Sequence, residues 1–98
     1  MRLIYHPEAE AELIAAAQFY ENRVPALGAE FLEAIDAGAA LILQDPRRWR
    51  VVEGDIRRYM LSRFPYAIYY RVLPDEVRVL AVKHHRRHPD YWRSRSPD

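Results

Sequence analysis

Residues 66–83 read Tyr66-Ala-Ile-Tyr-Tyr-Arg-Val72, then Leu73-Pro-Asp-Glu76, then Val77-Arg-Val-Leu-Ala-Val-Lys83. In the first run Tyr66, Ile68, Tyr70 and Val72 fall on one side with a period of two. These aromatic and β-branched types suit a pleated surface. Leu73-Pro74-Asp75-Glu76 carries turn chemistry, and Val77–Lys83 is the returning strand, so the stretch predicts a β-hairpin. On the returning strand both alternating sets, Val77/Val79/Ala81 and Leu80/Val82, are apolar. That predicts cover on both faces, or one face open to a partner. Upstream, Ile56–Phe64 mixes β-suited residues with arginines and predicts a third strand in an antiparallel sheet. Arg2–Tyr5 is a short apolar run, ended by His6-Pro7, that can join an edge as a first strand.

Working outward, the first half has a different period. Ala9, Leu13, Ala16 and Tyr20 recur at i, i+4, i+7 and i+11, one face of a helix over about residues 8–23. Pro7 suits a first helical turn, and Glu8, Glu10 and Glu12 lie where the helix dipole favours anions. Pro25 and Gly28 interrupt. Phe31, Ile35, Gly38 and Ile42 repeat the spacing in a second helix over about residues 26–43, which Asp45-Pro46 ends. Small Gly38 and Ala39 favour a close approach of the two helices. The predicted fold class is therefore α+β: an N-terminal helical hairpin packed on a small antiparallel twisted sheet. With 98 residues, the chain is expected to form one domain.

Charge divides along the same line as periodicity. Residues 1–46 carry two basic and eight acidic side chains, a net of −6, and residues 47–98 carry 13 basic and six acidic ones, a net of +7. Such a split predicts a basic region that attracts nucleic acid or acidic protein, unless the charges interleave in space. Fourteen of the 15 cations are arginine, the side chain that forks onto phosphates and carboxylates. There is no cysteine, hence no disulfide or thiolate chemistry. The apolar run at the N-terminus is too short for a signal peptide or a membrane span. The chain is expected to be soluble and cytoplasmic.

The densest polar cluster is Lys83-His84-His85-Arg86-Arg87-His88-Pro89-Asp90-Tyr91-Trp92, where the last strand leaves the sheet. Histidine can move protons near neutral pH, arginine can hold phosphate, and tyrosine or tryptophan can stack on a base. That combination meets the needs of metal-free RNA cleavage. It equally describes a solvated basic tail with Tyr91 and Trp92 pinned on the core. A second set is Arg57, Arg58, Arg63 and Arg71 on the predicted strands, with Arg57 and Arg63 on one face and Arg58 on the other. Interleaved with Tyr59, Tyr69 and Tyr70, it is a phosphate platform or a solvent face. Trp49 either stacks on a base or caps the core after the second helix.

Other chemistries are poorly served. His84 and His88 have helical metal-ligand spacing, but Pro89 and the preceding strand oppose a helix there, and no metal is expected. Ser62, Ser94 and Ser96 lie in no nucleophile-elbow pattern. Gly28, Gly38 and Gly54 build no phosphate loop, so no cofactor is expected.

Several short pieces follow one another through nearly the whole chain. They are Ala11-Glu12-Leu13 with Phe19-Tyr20-Glu21, Leu27-Gly28 with Phe31 and Ile35-Asp36, then Pro46 and Gly54 with Arg57. Next come Phe64-Pro65-Tyr66 with Tyr69-Tyr70-Arg71-Val72, and Ala81-Val82-Lys83-His84 with Arg87, Pro89, Tyr91 and Trp92. In that order they resemble the RelE/ParE toxin family of type II toxin–antitoxin systems, most closely its ParE-like branch. The resemblance implies a toxin that is neutralised by a cognate acidic antitoxin in a hetero-oligomer and poisons DNA gyrase. The alternative it offers is a RelE-like, ribosome-dependent, metal-free mRNA endonuclease. In that case His84, Arg87 and Tyr91 are the catalytic candidates. Arg57, Arg58, Arg71 and Trp92 are the binding candidates. The single lysine, Lys83, departs from the lysine-rich pattern of several RelE-like enzymes.

Overall fold

The structure, a computed structural model, describes residues 1–87 and Arg95. Strand β1 (Arg2–Tyr5) leads into helix α1 (Pro7–Arg23). Pro7 occupies the first turn, and the His6 side chain accepts the Glu8 N–H through Nδ1 at 3.1 Å, capping the helix. Helix α2 (Leu27–Gln44) begins after a tight turn in which Ala26 takes a left-handed φ of 74°. No side chain of its own caps α2; instead Glu21 of α1 reaches across and accepts from Ala26 N and Gly28 N, both at 2.9 Å. Both helical faces are as the periodicity requires. Ala9, Ala16, Phe31, Ile35, Gly38 and Ile42 are buried, and Leu13 and Tyr20 are partly so.

The remaining strands are β2 (Arg50–Glu53), β3 (Ile56–Met60), β4 (Tyr66–Val72) and β5 (Glu76–His84), in a five-stranded sheet of order β1-β5-β4-β3-β2. The α+β hairpin-on-sheet architecture stands as read, with one refinement. β2 to β5 form an antiparallel meander, but β1 lies parallel to β5, so the sheet is mixed. β2 has too few residues to show a period, and the sequence gives no sign of it. Arg63 lies beyond the end of β3, in the loop before Pro65, and pairs with Glu30 rather than sharing a strand face with Arg57.

A β-bulge resolves the two apolar sets of β5. Tyr69 pairs with Ala81 but Tyr70 pairs with Val79, so Leu80 is an extra residue. Beyond it the alternation is displaced by one position. Val77, Val79 and Val82 join the core under the helices, where Phe31, Ile35, Ile68 and Tyr70 meet. Leu80 and Ala81 face the opposite side with Ile56, Ala67 and Tyr69, a second buried cluster. On the helical side Tyr20, Phe31, Phe64 and Tyr66 form an aromatic group with centroids 5.0–6.2 Å apart.

Candidate functional site

The end of β5 and the middle of α1 enclose a pocket of about 270 Å³, lined by residues that include Glu12, Ala16, Phe19, Tyr66, His84 and Arg87. β5 delivers His84 on the helical side, one alternation beyond Val82. Its ring stands edge-on to Tyr66 at 5.1 Å. Its Nδ1 accepts the Arg86 N–H at 3.0 Å, and its carbonyl accepts the Arg87 N–H at 3.0 Å. His84 thus organises the turn that carries Arg86 and Arg87. Burial raises the Tyr66 phenol above its ordinary value, and Tyr20 and Glu12 add to the shift. Tyr66 is therefore a neutral wall of the pocket at physiological pH. Phe19 is half exposed at the rim.

The strand arginines divide between the two faces. Arg57 lies on the helical side, paired across the sheet with Tyr70, and donates to Arg47 O at 3.0 Å and Trp49 O at 2.7 Å. It holds the connector after α2 by its carbonyls. Trp49 packs edge-on against Tyr59 at 4.7 Å and belongs to the rim of the core. Arg58 lies on the opposite face, between Arg50 and Tyr69 in the register. Arg71 shares that face, opposite Arg78, and forks onto Asp55 at 3.0 and 3.2 Å. Lys83 is there too, 5.8 Å from the Tyr69 ring centroid.

The structure therefore brings His84 and Arg87 together at the pocket, and Arg58 and Arg71 together on the other face of the sheet. It does not gather all five side chains in one place. Tyr91 and Trp92 lie outside the described residues. Among the described residues no three His, Asp or Glu side chains come close enough to hold a metal ion, and no helix is long and apolar enough to cross a membrane.

Sequence reasoning passed over Glu12 and Arg95. Glu12 accepts the Val82 N–H at 3.0 Å and binds Arg95 through both oxygens, at 3.0 and 3.1 Å. The spacing contains the signal for Glu12: it is three residues after Ala9 and four before Ala16, a carboxylate on the buried stripe of α1. Nothing in the sequence marks Arg95 among the other arginines of the C-terminal half.

Comparison with known proteins agrees with this architecture. No curated protein matches the chain. A solved structure described as the chromosomal ParDE TA system from P. aeruginosa superposes with a TM-score of 0.77 at 23% identity, covering 86% of this chain and 95% of that one. At that identity the likeness concerns the fold. The model of the ParE toxin of the type II toxin–antitoxin system, parDE, matches residues 3–89. A match over that span takes in both helices, all five strands and the His84 turn, and so the chain belongs to the ParE toxin family of type II toxin–antitoxin systems.

Proposed function

We propose that this toxin arrests growth by binding DNA gyrase, in the cytoplasm, and that a cognate acidic antitoxin neutralises it in a hetero-oligomer. The reading is one of binding rather than catalysis. The observation that carries it is how the polar groups around the pocket are used. His84 Nδ1 caps the turn at Arg86, Glu12 is held by Val82 N and Arg95, and Arg57 is held by two backbone carbonyls. A general acid–base pair needs two groups free to exchange protons with a substrate. Of these three only His84 keeps a second ring nitrogen, Nε2, for that task, while Glu12 and Arg57 are engaged in holding the chain. The proposed binding surface is the basic groups on the sheet, Arg58 and Arg71, and Arg87 at the pocket, together with the sequence candidate Trp92. An apolar groove between the helices, with half-exposed Ile14 and Leu32 at its rim, supports antitoxin docking on the hairpin.

The second reading, metal-free mRNA cleavage on the ribosome, rests on His84 and Arg87 lining one pocket. Substitution separates the two. Under gyrase binding, His84→Ala leaves growth arrest nearly intact, while Arg87→Ala and Trp92→Ala weaken gyrase affinity by the ~2 kcal/mol of interface anchors. Under RNA cleavage, His84→Ala slows cutting by roughly 10²–10⁴-fold. A supercoiling assay with purified toxin, run beside primer extension on translated messages, reads both. Cut messages with unimpaired gyrase would overturn the proposal.

A further inference from the structure

Among the described residues, half of the outer edge of β5 has no strand beside it. β1 pairs with β5 only from Glu76 to Val79, whereas β5 continues to His84. The chain leaves the sheet at His6, whose N–H donates to Val79 O at 2.8 Å, and turns into α1. Past this point the bulge turns Leu80 C=O and Val82 N–H outward. Unpaired backbone groups at a sheet edge carry a desolvation cost and invite another chain to pair.

Both groups are met by side chains. Glu12 Oε1 accepts the Val82 N–H at 3.0 Å, and Arg95 Nη1 donates to Leu80 O at 3.0 Å. The same two side chains bind each other fork to fork, and Glu8 adds a second carboxylate at 3.5 Å from Arg95. The Arg95 side chain is 7% exposed and that of Glu12 14%. A carboxylate offers only acceptors and a guanidinium only donors. Side by side, they present to β5 the acceptor and the donor that a neighbouring strand would present.

We infer that the Glu12–Arg95 pair is a side-chain surrogate for the missing strand: it closes the free half-edge of β5 and latches the C-terminal end of the chain to it. Arg95 and Glu12 are positioning residues. The chain is fastened to β5 at His84 and again at Arg95, whichever target the toxin has. The polarity of the pair matters as well as its attraction, because an exchanged pair would set a donor against Val82 N–H and an acceptor against Leu80 C=O.

The test uses the purified full chain, with two readouts: amide exchange of Val82 by NMR, and the rate of chymotrypsin cleavage after Tyr91 or Trp92. Arg95→Ala leaves Glu12 as an uncompensated carboxylate that turns to water, so both rates rise by about tenfold or more. The exchanged double variant, Glu12→Arg with Arg95→Glu, rises as far. Glu12→Gln keeps an acceptor for Val82 but loses the charge facing Arg95. Its Val82 exchange stays within about threefold of the parent while cleavage quickens. An exchanged pair that restores both parental rates would overturn the surrogate and leave an ordinary ion pair. Unchanged cleavage in Arg95→Ala would overturn the latch. If Arg95→Ala does not fold, unchanged cleavage in Glu12→Gln overturns it equally.

Discussion

Tyr70 puts a phenol in the core between α2 and the sheet, fully buried, with its hydroxyl donating to Pro46 O at 2.7 Å. Burial pushes its pKa up to about 12, with Arg57 pulling down and Asp45 pushing up by smaller amounts. Tyrosine is charged when it loses its proton, so the native state holds that proton more tightly than the unfolded chain does. Stability is therefore unaffected below the ordinary value of 10, and falls as pH rises from 10 towards about 12. The full loss is about 2–3 kcal/mol, at ~1.4 kcal/mol per pKa unit. Denaturant titrations across that window should show a shallower decline for Tyr70→Phe than for the parent. At pH 9 the variant should start about 1 kcal/mol lower, for the lost hydrogen bond. Parallel declines would assign the titration to other tyrosines. The sequence marks Tyr70 as an inward strand residue. That its hydroxyl meets Pro46, 24 positions earlier, depends on the connector that Arg57 holds.

At the scale of elements, the helical hairpin turns on Gly28. A Cβ built there collides with the Ala17 carbonyl oxygen and stands 2.9 Å from Glu21 Cβ. Backbone carbonyls of a neighbouring helix do not yield without moving the helix. Gly38 is also tight, its virtual Cβ 2.7 Å from Tyr59 Cε2, but there the obstacle is a ring. Gly28→Ala should cost about 1–3 kcal/mol as an overpacking substitution, beyond any gain in helix propensity. Gly38→Ala should cost less, since about 1 kcal/mol of propensity offsets the ring's displacement. Thermal melts check the order, with each kcal/mol worth roughly 4–8 °C in a domain of this size. A Gly28→Ala melt equal to the parent would show that the helices can part without loss. The same turn shows why cap chemistry was only half legible. Pro25 and Gly28 announce a break, but the cap comes from Glu21, a residue that sequence rules assign to the helix before.

For the whole molecule, the charge split becomes a split between layers. The acidic half of the chain builds β1 and both helices, and the basic half builds the four-stranded meander. Among the described residues, ion pairs between the two halves include Arg63 with Glu30, Arg95 with Glu8 and Glu12, and Arg2 with Glu76 at the β1 edge. The basic half carries a net charge of +7, which is the charge the proposed acidic antitoxin would meet. An acidic antitoxin should therefore lose affinity as salt rises, because exposed charges are screened beyond about 8–10 Å at physiological ionic strength. Calorimetry between about 0.05 and 0.5 M salt should show a loss on the order of tenfold. A salt-independent affinity would leave apolar docking on the helical hairpin as the whole of the interaction.

What the sequence by itself determined is what repeats locally: two helical faces, the β4–β5 hairpin, the inward set Phe31, Ile35, Ile68 and Tyr70, and an ordered series of pieces sufficient to point to the family. Each depends on neighbours within a few positions, where period and turn chemistry act. Only the tertiary structure decided the parallel seat of β1, the bulge at Leu80 that moves Ala81 to the other face, and the place of Arg63 beyond β3 against Glu30 rather than on the face of Arg57. It also decided the meeting of Glu12 with Arg95, residues 83 positions apart. The physical reason is common to these features: a backbone edge or buried donor must find a partner, and which side chain reaches it is settled by where the chain returns in space.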